Sequence, residues 1–212
     1  MIDPAPSERV IWLVRHGEST WNARGLVQGQ TQVPVLTRRG VAQAQEVARQ
    51  LADEPVGVVW SSDLQRALQT ADPIAAALGL PVGSDRRLRE RSYGRAEGTG
   101  TRTLSPRFSG IRYGRVTDAD AAPPNGESIR ELYARAADIV EAIQQLPEPG
   151  DLVLVTHGGM VRVLLALLVG TGPDEMAWLA IENGLVVRRV VPSEASNQTP
   201  SSSRRVADGA LR

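Results

Sequence analysis

Two short motifs hold the only two histidines of the chain. His16 lies in Leu13-Val14-Arg15-His16-Gly17-Glu18, and His157 in Val153-Leu154-Val155-Thr156-His157-Gly158-Gly159. Each ends a short apolar run and precedes a glycine, which places two imidazoles at the ends of two buried strands. The simplest reading is that both rings meet at one site. Arg15, beside the first ring, suggests what that site holds. A phosphomonoester carries nearly two negative charges, and a guanidinium fork meets them with paired hydrogen bonds. Neutral imidazole attacks phosphorus and forms a phosphohistidine. A second imidazole, when protonated, adds a donor for the equatorial oxygens. Arg66 can reach the same edge as Arg15, and Asn22 can orient an imidazole or donate to phosphate. The departing alkoxide needs a proton, which a carboxylic acid can give and later recover from water. Glu18 and Glu90 are the candidates. A surface ion pair with Arg86, Arg87, Arg89 or Arg91 is the competing role for Glu90.

The composition narrows the classes. The chain has 212 residues, 42% of them hydrophobic, enough for one sizeable core. Formal net charge is zero, so no global field draws the protein to nucleic acid or to an anionic membrane. No apolar stretch is long enough to span a bilayer. Met1 to Glu8 lacks the basic start and apolar core of a secretory signal, and the cytoplasm is the expected compartment. Without cysteine there is no disulfide, thiolate nucleophile or cysteine metal site. Lysine is also absent, so all 24 basic residues are arginine. That excludes a P-loop and Schiff-base chemistry.

The elements that position these groups follow from periodicity. Val10 to Val14 reads as a buried strand. Thr37 caps a helix running to about Asp53, with Val41, Ala44, Val47, Ala48 and Leu51 on one face. Val56 to Trp60 is a second strand, ending in Ser61-Ser62-Asp63. Asp63 is placed to cap the helix that carries Arg66, and Pro73 to kink or divide it. Residues 81–98 are short and irregular, and 99–125 form a loop or small cap. Glu127 to Leu146 is the clearest amphipathic helix. Leu152 to Thr156 is a third strand, followed by a buried helix from Met160 to Val169. Leu185 to Val191 is the last strand. Trp12 and Trp60 belong to the core, and Trp178 to the core or to a homodimer face. A domain over 9–192 is followed by a polar tail, 193–212, expected to be disordered. Alternating strands and helices give an α/β layer with a mostly parallel central sheet. In such sheets, sites form at the carboxyl ends of strands, where Arg15-His16, Ser61-Ser62 and His157-Gly158 all fall.

Four motifs together resemble the histidine phosphatase superfamily, in its phosphoglycerate mutase-like branch. They are Leu13-Val14-Arg15-His16-Gly17-Glu18-Ser19-Thr20-Trp21-Asn22, Ser61-Ser62-Asp63-Leu64-Gln65-Arg66-Ala67, Leu88-Arg89-Glu90-Arg91-Ser92-Tyr93-Gly94 and Thr156-His157-Gly158-Gly159. The resemblance implies a three-layer α/β/α sandwich and a chemistry that needs no metal or other cofactor. It implies that His16 is phosphorylated, that Arg15, Arg66 and His157 complete the phosphate pocket, and that Glu90 is acid and then base. Asn22, Gln28, Gly29, Tyr93 and Gly158 would line the substrate side. Gln32 and Ala96 depart from the family pattern, at positions that shape the pocket rather than its phosphate core.

The leading expectation is a metal-independent phosphatase acting on a small phosphorylated metabolite. A cofactor-dependent phosphoglycerate mutase is the alternative, weakened by a compact segment between Glu90 and His157. Arg102, Arg107, Arg112 and Arg115 in the cap are available for a second anionic group. A non-catalytic phosphate-binding module and a metal hydrolase using both histidines are the remaining readings; the latter would need a third protein ligand.

Overall fold

The computed structural model describes residues 8–146 and 150–192. The strands are β1 (Glu8–Arg15), β2 (Val56–Ser61), β3 (Val82–Ser84), β4 (Ile111–Arg112), β5 (Arg115–Val116), β6 (Asp151–Thr156) and β7 (Val186–Pro192). The α-helices are α1 (Thr20–Ala23), α2 (Arg38–Leu51), α3 (Gln65–Leu78), α4 (Pro106–Ser109), α5 (Ile129–Gln144) and α6 (Gly158–Leu168). The segment 193–212, read from sequence as a tail, lies outside the described residues.

Five strands form one sheet in the order β3-β2-β6-β1-β7. All neighbours run parallel except β7, which pairs antiparallel with β1. Both faces of the sheet are buried, so its central strands carry consecutive apolar residues rather than alternate ones. Ile11 and Leu13 of β1, with Leu152 and Leu154 of β6, pack under α5 and α6 through Leu132, Ile139, Met160 and Val163. Val14, Val153 and Val155 face the other way, onto Val47 and Leu51 of α2 and Ala67 and Ile74 of α3. The result is the expected three-layer α/β/α sandwich.

This layering locates the site. The chain leaves β1 towards the α2–α3 layer and leaves β6 towards the opposite layer. Between β1 and β6 the connections therefore diverge, and a crevice opens at the strands' carboxyl ends. Arg15 is in register with Thr156, so the residues that follow, His16 and His157, stand side by side.

Several local expectations change in the structure. Val41 is 45% exposed, because the buried stripe of α2 runs through Gly40, Ala44, Val47, Ala48 and Leu51. Asp63 does not cap α3: it takes a bidentate hydrogen bond from Arg89, both contacts 2.6 Å. Gln32, from the distant loop, serves that helix end instead, accepting from Gln65 N at 2.9 Å and donating to Asp63 O at 3.2 Å. Pro73 sits inside an unbroken α3. The stretch 99–125 is a small cap built from a 3-10 turn at Thr101–Thr103, α4 and the hairpin β4–β5. Arg91 anchors it. This fully buried guanidinium donates to the carbonyls of Glu127, Ser109 and Ala121 at 2.6–2.7 Å.

Candidate active site

The two imidazoles sit 5.1 Å apart, centroid to centroid, inclined at 61°. Both are buried. His16 Nδ1 lies 2.7 Å from the Gly17 carbonyl. A carbonyl only accepts, so Nδ1 carries the proton and Nε2 keeps its lone pair. The Gly17 loop is fixed by its amide, which donates to Thr70 Oγ1 at 3.0 Å, and by packing of Gly17 against the Gly40 carbonyl on α2. Asn183 completes the frame, donating to His16 O at 3.0 Å and to Asn22 Oδ1 at 3.2 Å. His157 Nε2 lies 2.8 Å from Ser62 Oγ, and its Nδ1 is buried without a protein partner.

Arg66 is fully buried in the first turn of α3. Its terminal nitrogens donate to Gly29 O at 2.8 Å and Thr31 O at 3.0 Å, while its Nε has no partner. Arg15 donates to Ile181 O, and its Nε also lacks a partner. Buried N–H groups are rarely left unpaired. Three of them gathered around one histidine mark a place built for an acceptor.

Burial, then the charges of Arg66 and Arg15, hold His16 well below its ordinary pKa; burial and Arg66 do the same to His157. Both rings are therefore neutral, so the second histidine is not the standing imidazolium that the phosphate argument considered. This has a consequence for stability. In the unfolded chain each ring titrates near 6.5, and in the fold only well below it. As pH falls through 6.5 the unfolded state takes up the extra protons. Stability is expected to be full above that pH and to decline below it, by up to about 1.4 kcal/mol per pH unit for each histidine. Urea unfolding of the free protein between about pH 8 and pH 5 checks this, and a midpoint that holds constant would contradict it.

Glu90 follows a 3-10 turn whose Leu88 is wholly buried, and its segment is tied from three sides. Thr156 Oγ1 donates to Leu88 O at 2.6 Å, and Gln30 Nε2 to Glu90 O at 3.0 Å. Arg135 of α5 donates to the carbonyls of Arg87, Arg89 and Glu90 while paired with Glu127. The Glu90 carboxylate accepts from two backbone amides, Arg91 N at 2.7 Å and Gly159 N at 3.0 Å. The neighbouring arginines are engaged elsewhere: Arg86 and Arg89 with Asp63, Arg87 with Asp85, and Arg91 with carbonyls. Glu18, the other candidate acid, accepts from Thr37 Oγ1 at 2.8 Å and from Arg39, and so fastens the first motif to α2.

Arg15, His16, Arg66 and Glu90 open onto one cavity of about 200 Å³, together with Asn22, Gln28, Gly29 and Tyr93. Asn22 Oδ1 is occupied by the Ser19 amide, so only its NH2 is free to face a ligand. Gln28 Oε1 accepts from Ser19 Oγ. Burial and the nearby Glu90 push the Tyr93 hydroxyl up to about 12, which keeps it neutral. Gly158, the first residue of α6, does not line this cavity; it lets Arg15 and Arg162 approach the helix start. His157 is not among the lining residues, but its ring lies 5.1 Å from that of His16, which is. Among the described residues, no three His, Cys, Asp or Glu side chains gather as a metal site, and no helix is long and apolar enough to cross a membrane.

Sequence reasoning passed over Thr70, Arg135, Gly159 and Asn183. Thr70 and Gly159 stand within or beside quoted motifs. Arg135 and Asn183 lie far from any motif and act through backbone carbonyls, a role that leaves no pattern in one sequence.

Comparison with known proteins identifies the family. A family model described as histidine phosphatase superfamily (branch 1) matches residues 11–197. The probable phosphoglycerate mutase GpmB of Yersinia pestis (strain Pestoides F) is 38% identical over 161 residues, covering 76% of this chain and 74% of that protein. Among solved structures, a mycobacterial glucosyl-3-phosphoglycerate phosphatase aligns with a TM-score of 0.75 at 29% identity, covering 87% of this chain and 91% of the other. A phosphoserine phosphatase variant from Entamoeba histolytica, in complex with phosphoserine, aligns with a TM-score of 0.72 at 25% identity, covering 89% and 97%.

Proposed function

Given that the chain belongs to the histidine phosphatase superfamily (branch 1), we propose that it is a metal-independent phosphatase that hydrolyses a small phosphomonoester through a phosphohistidine on His16. The observation that carries this reading is the convergence of unpaired donors on one neutral imidazole. Among the described residues four buried side-chain nitrogens lack a partner; one, Trp12 Nε1, belongs to β1, and the other three, Arg15 Nε, Arg66 Nε and His157 Nδ1, belong to the residues grouped with His16, whose Nε2 keeps its lone pair.

The chemistry runs in two halves. The phosphate oxygens take the free N–H groups of Arg15 and Arg66. Ser62 Oγ already accepts from Leu64 N at 3.3 Å, and its own proton can go to His157 Nε2. That arrangement puts the ring proton of His157 on Nδ1, where it can meet a phosphate oxygen. His16 Nε2 attacks phosphorus, its Nδ1–H held by the Gly17 carbonyl so that the ring cannot turn. The bond from phosphorus to the ester oxygen breaks as Glu90 hands its proton to that oxygen. The dianion arriving beside this carboxyl favours the proton that Glu90 donates. Water then attacks the phosphohistidine, and Glu90 takes its proton. The amides of Arg91 and Gly159 suit the charged, proton-accepting form of Glu90 in this second half.

Gly159 follows from this reading. A Cβ at that position would lie 2.1 Å from Glu90 Oε1. In Gly159→Ala the helix is fixed and the flexible carboxyl must yield. Turnover of alkyl phosphates is expected to fall by about tenfold or more, with a much smaller loss on p-nitrophenyl phosphate, whose leaving group needs no proton. Equal losses on the two substrates would refute the assignment.

The deciding experiment for the function is phosphate release from a panel of monoesters, 3-phosphoglycerate included, with chelator present and His16→Ala as control. Release by the wild type alone supports the phosphatase. Isomerisation of 3-phosphoglycerate, stimulated by 2,3-bisphosphoglycerate and faster than phosphate release, would make the protein a mutase.

A further inference from the structure

Resting on the reading of the cavity as a phosphomonoester site, we propose that the alcohol part of the substrate is uncharged, with an apolar portion held against Leu26 and Leu104. The charged groups that line the cavity are Arg15, Arg66 and Glu90. Both arginines act directly on His16, so they belong to the phosphate end. A phosphate dianion matches their two charges and leaves none over. A second anion on the substrate would find no further cation in the lining.

The rest of the wall is Leu26, Val27, Thr101, Leu104 and Tyr93, with the amides of Asn22 and Gln28. It is a built surface. Leu26 bridges Gly100, Val27 N donates to Thr99 O at 2.9 Å, Gly98 N to Val27 O at 2.8 Å, and Thr101 N to Gly25 O at 2.8 Å. The backbone of 25–27 is thus zipped to that of 98–101, and the two leucines are carried on the paired segments or directly after them.

The cations that could answer a second anion are placed elsewhere. Arg102, Arg107, Arg112 and Arg115, the cap arginines considered for that task, are exposed and outside the lining. Arg162 lies near Gly158 and close enough to interact with the charge of Glu90, but it is not among the lining residues: its Nε donates to Leu179 O at 2.5 Å and its guanidinium sits 4.8 Å over the Trp178 ring. It faces a separate apolar cavity with Leu165 and Met176. A carboxylate laid against Leu26 and Leu104 would lose water without gaining a counter-charge. An alkyl or aryl group there loses water to its advantage.

Binding of paired phosphonates to the wild-type protein, measured by calorimetry, tests this without requiring turnover. Butylphosphonate should bind about tenfold or more tighter than 3-phosphonopropionate, which replaces the terminal carbons with a carboxylate. Leu104→Arg, which supplies the missing counter-charge, should narrow that ratio by about tenfold. Leu26→Ala, a milder change, should weaken butylphosphonate more than 3-phosphonopropionate. Equal affinities in the wild type, or tighter 3-phosphonopropionate, would overturn the proposal. The expected binding order with no hydrolysis of any monoester would uphold this substrate class and defeat the phosphatase reading instead.

Discussion

His16→Ala is expected to lower kcat/KM for phosphate release by on the order of 10⁴-fold or more, about 5 kcal/mol of transition-state stabilisation. The size follows from the role. His16 Nε2 forms the bond to phosphorus, and alanine leaves water to attack a dianion unaided. The arginines and His157 remain in place, so ground-state binding of inorganic phosphate should survive the change. The variant is a small truncation at a loop held independently by Thr70 and Asn183, so folding is expected to persist. Rapid acid-free quenching of labelled substrate should trap an alkali-stable phosphoenzyme with wild type and none with the variant. A variant that keeps its turnover would end the phosphohistidine reading.

Glu90→Gln carries the second large effect, and its signature is a difference rather than a loss. Glutamine keeps the shape and can still meet one of the two backbone amides, but it cannot give a proton. Alkyl phosphates, whose alkoxides are poor leaving groups, should lose about 10²- to 10⁴-fold in kcat/KM. p-Nitrophenyl phosphate should lose far less in its first step, because p-nitrophenolate departs unprotonated. Its steady state can still slow, since hydrolysis of the phosphohistidine needs the base. A burst of p-nitrophenol followed by slow turnover is therefore the expected trace, with the phosphoenzyme accumulating. Uniform losses across both leaving groups, with no burst, would assign Glu90 a structural part only. Gly159→Ala should reproduce the split more weakly, because there the proton donor is displaced rather than removed.

The elements of the sandwich were legible because each leaves a local mark. The strands under His16 and His157 are apolar at consecutive positions, 10–14 and 152–155, which is the pattern of a parallel strand covered on both sides. α2 and α5 declare themselves through their apolar stripes, and α2 also through Thr37, whose hydroxyl accepts from the third residue of the helix; the matching cap of α5, Ser128, emerged only in the structure. Expectations failed where a local signal was outbid by a distant partner. Asp63 had the right type and place to cap α3, yet Arg89 holds it and Gln32 takes over the helix end. Pro73 was expected to kink or divide α3, yet it does not divide it: the helix runs continuously from Gln65 to Leu78. Val41 was one step round the helix from the stripe, a shift that composition cannot resolve.

By itself the sequence named the candidate groups: the two imidazoles, Arg15 and Arg66, and Glu90 each stood in a motif. Residue type and short spacing suffice for that, since they are properties of contiguous chain. Only the tertiary structure decided what state those groups are in. The divergence of connections at β1 and β6 brings the rings to 5.1 Å. Burial with two arginines makes both neutral, and a carbonyl selects the tautomer of His16. Arg135, Asn183 and Gly159 act across the fold to hold Glu90 and the first loop, through backbone groups that every residue possesses. Charge state and orientation depend on what surrounds a group in three dimensions, and contributions of that kind are absent from any single stretch of sequence.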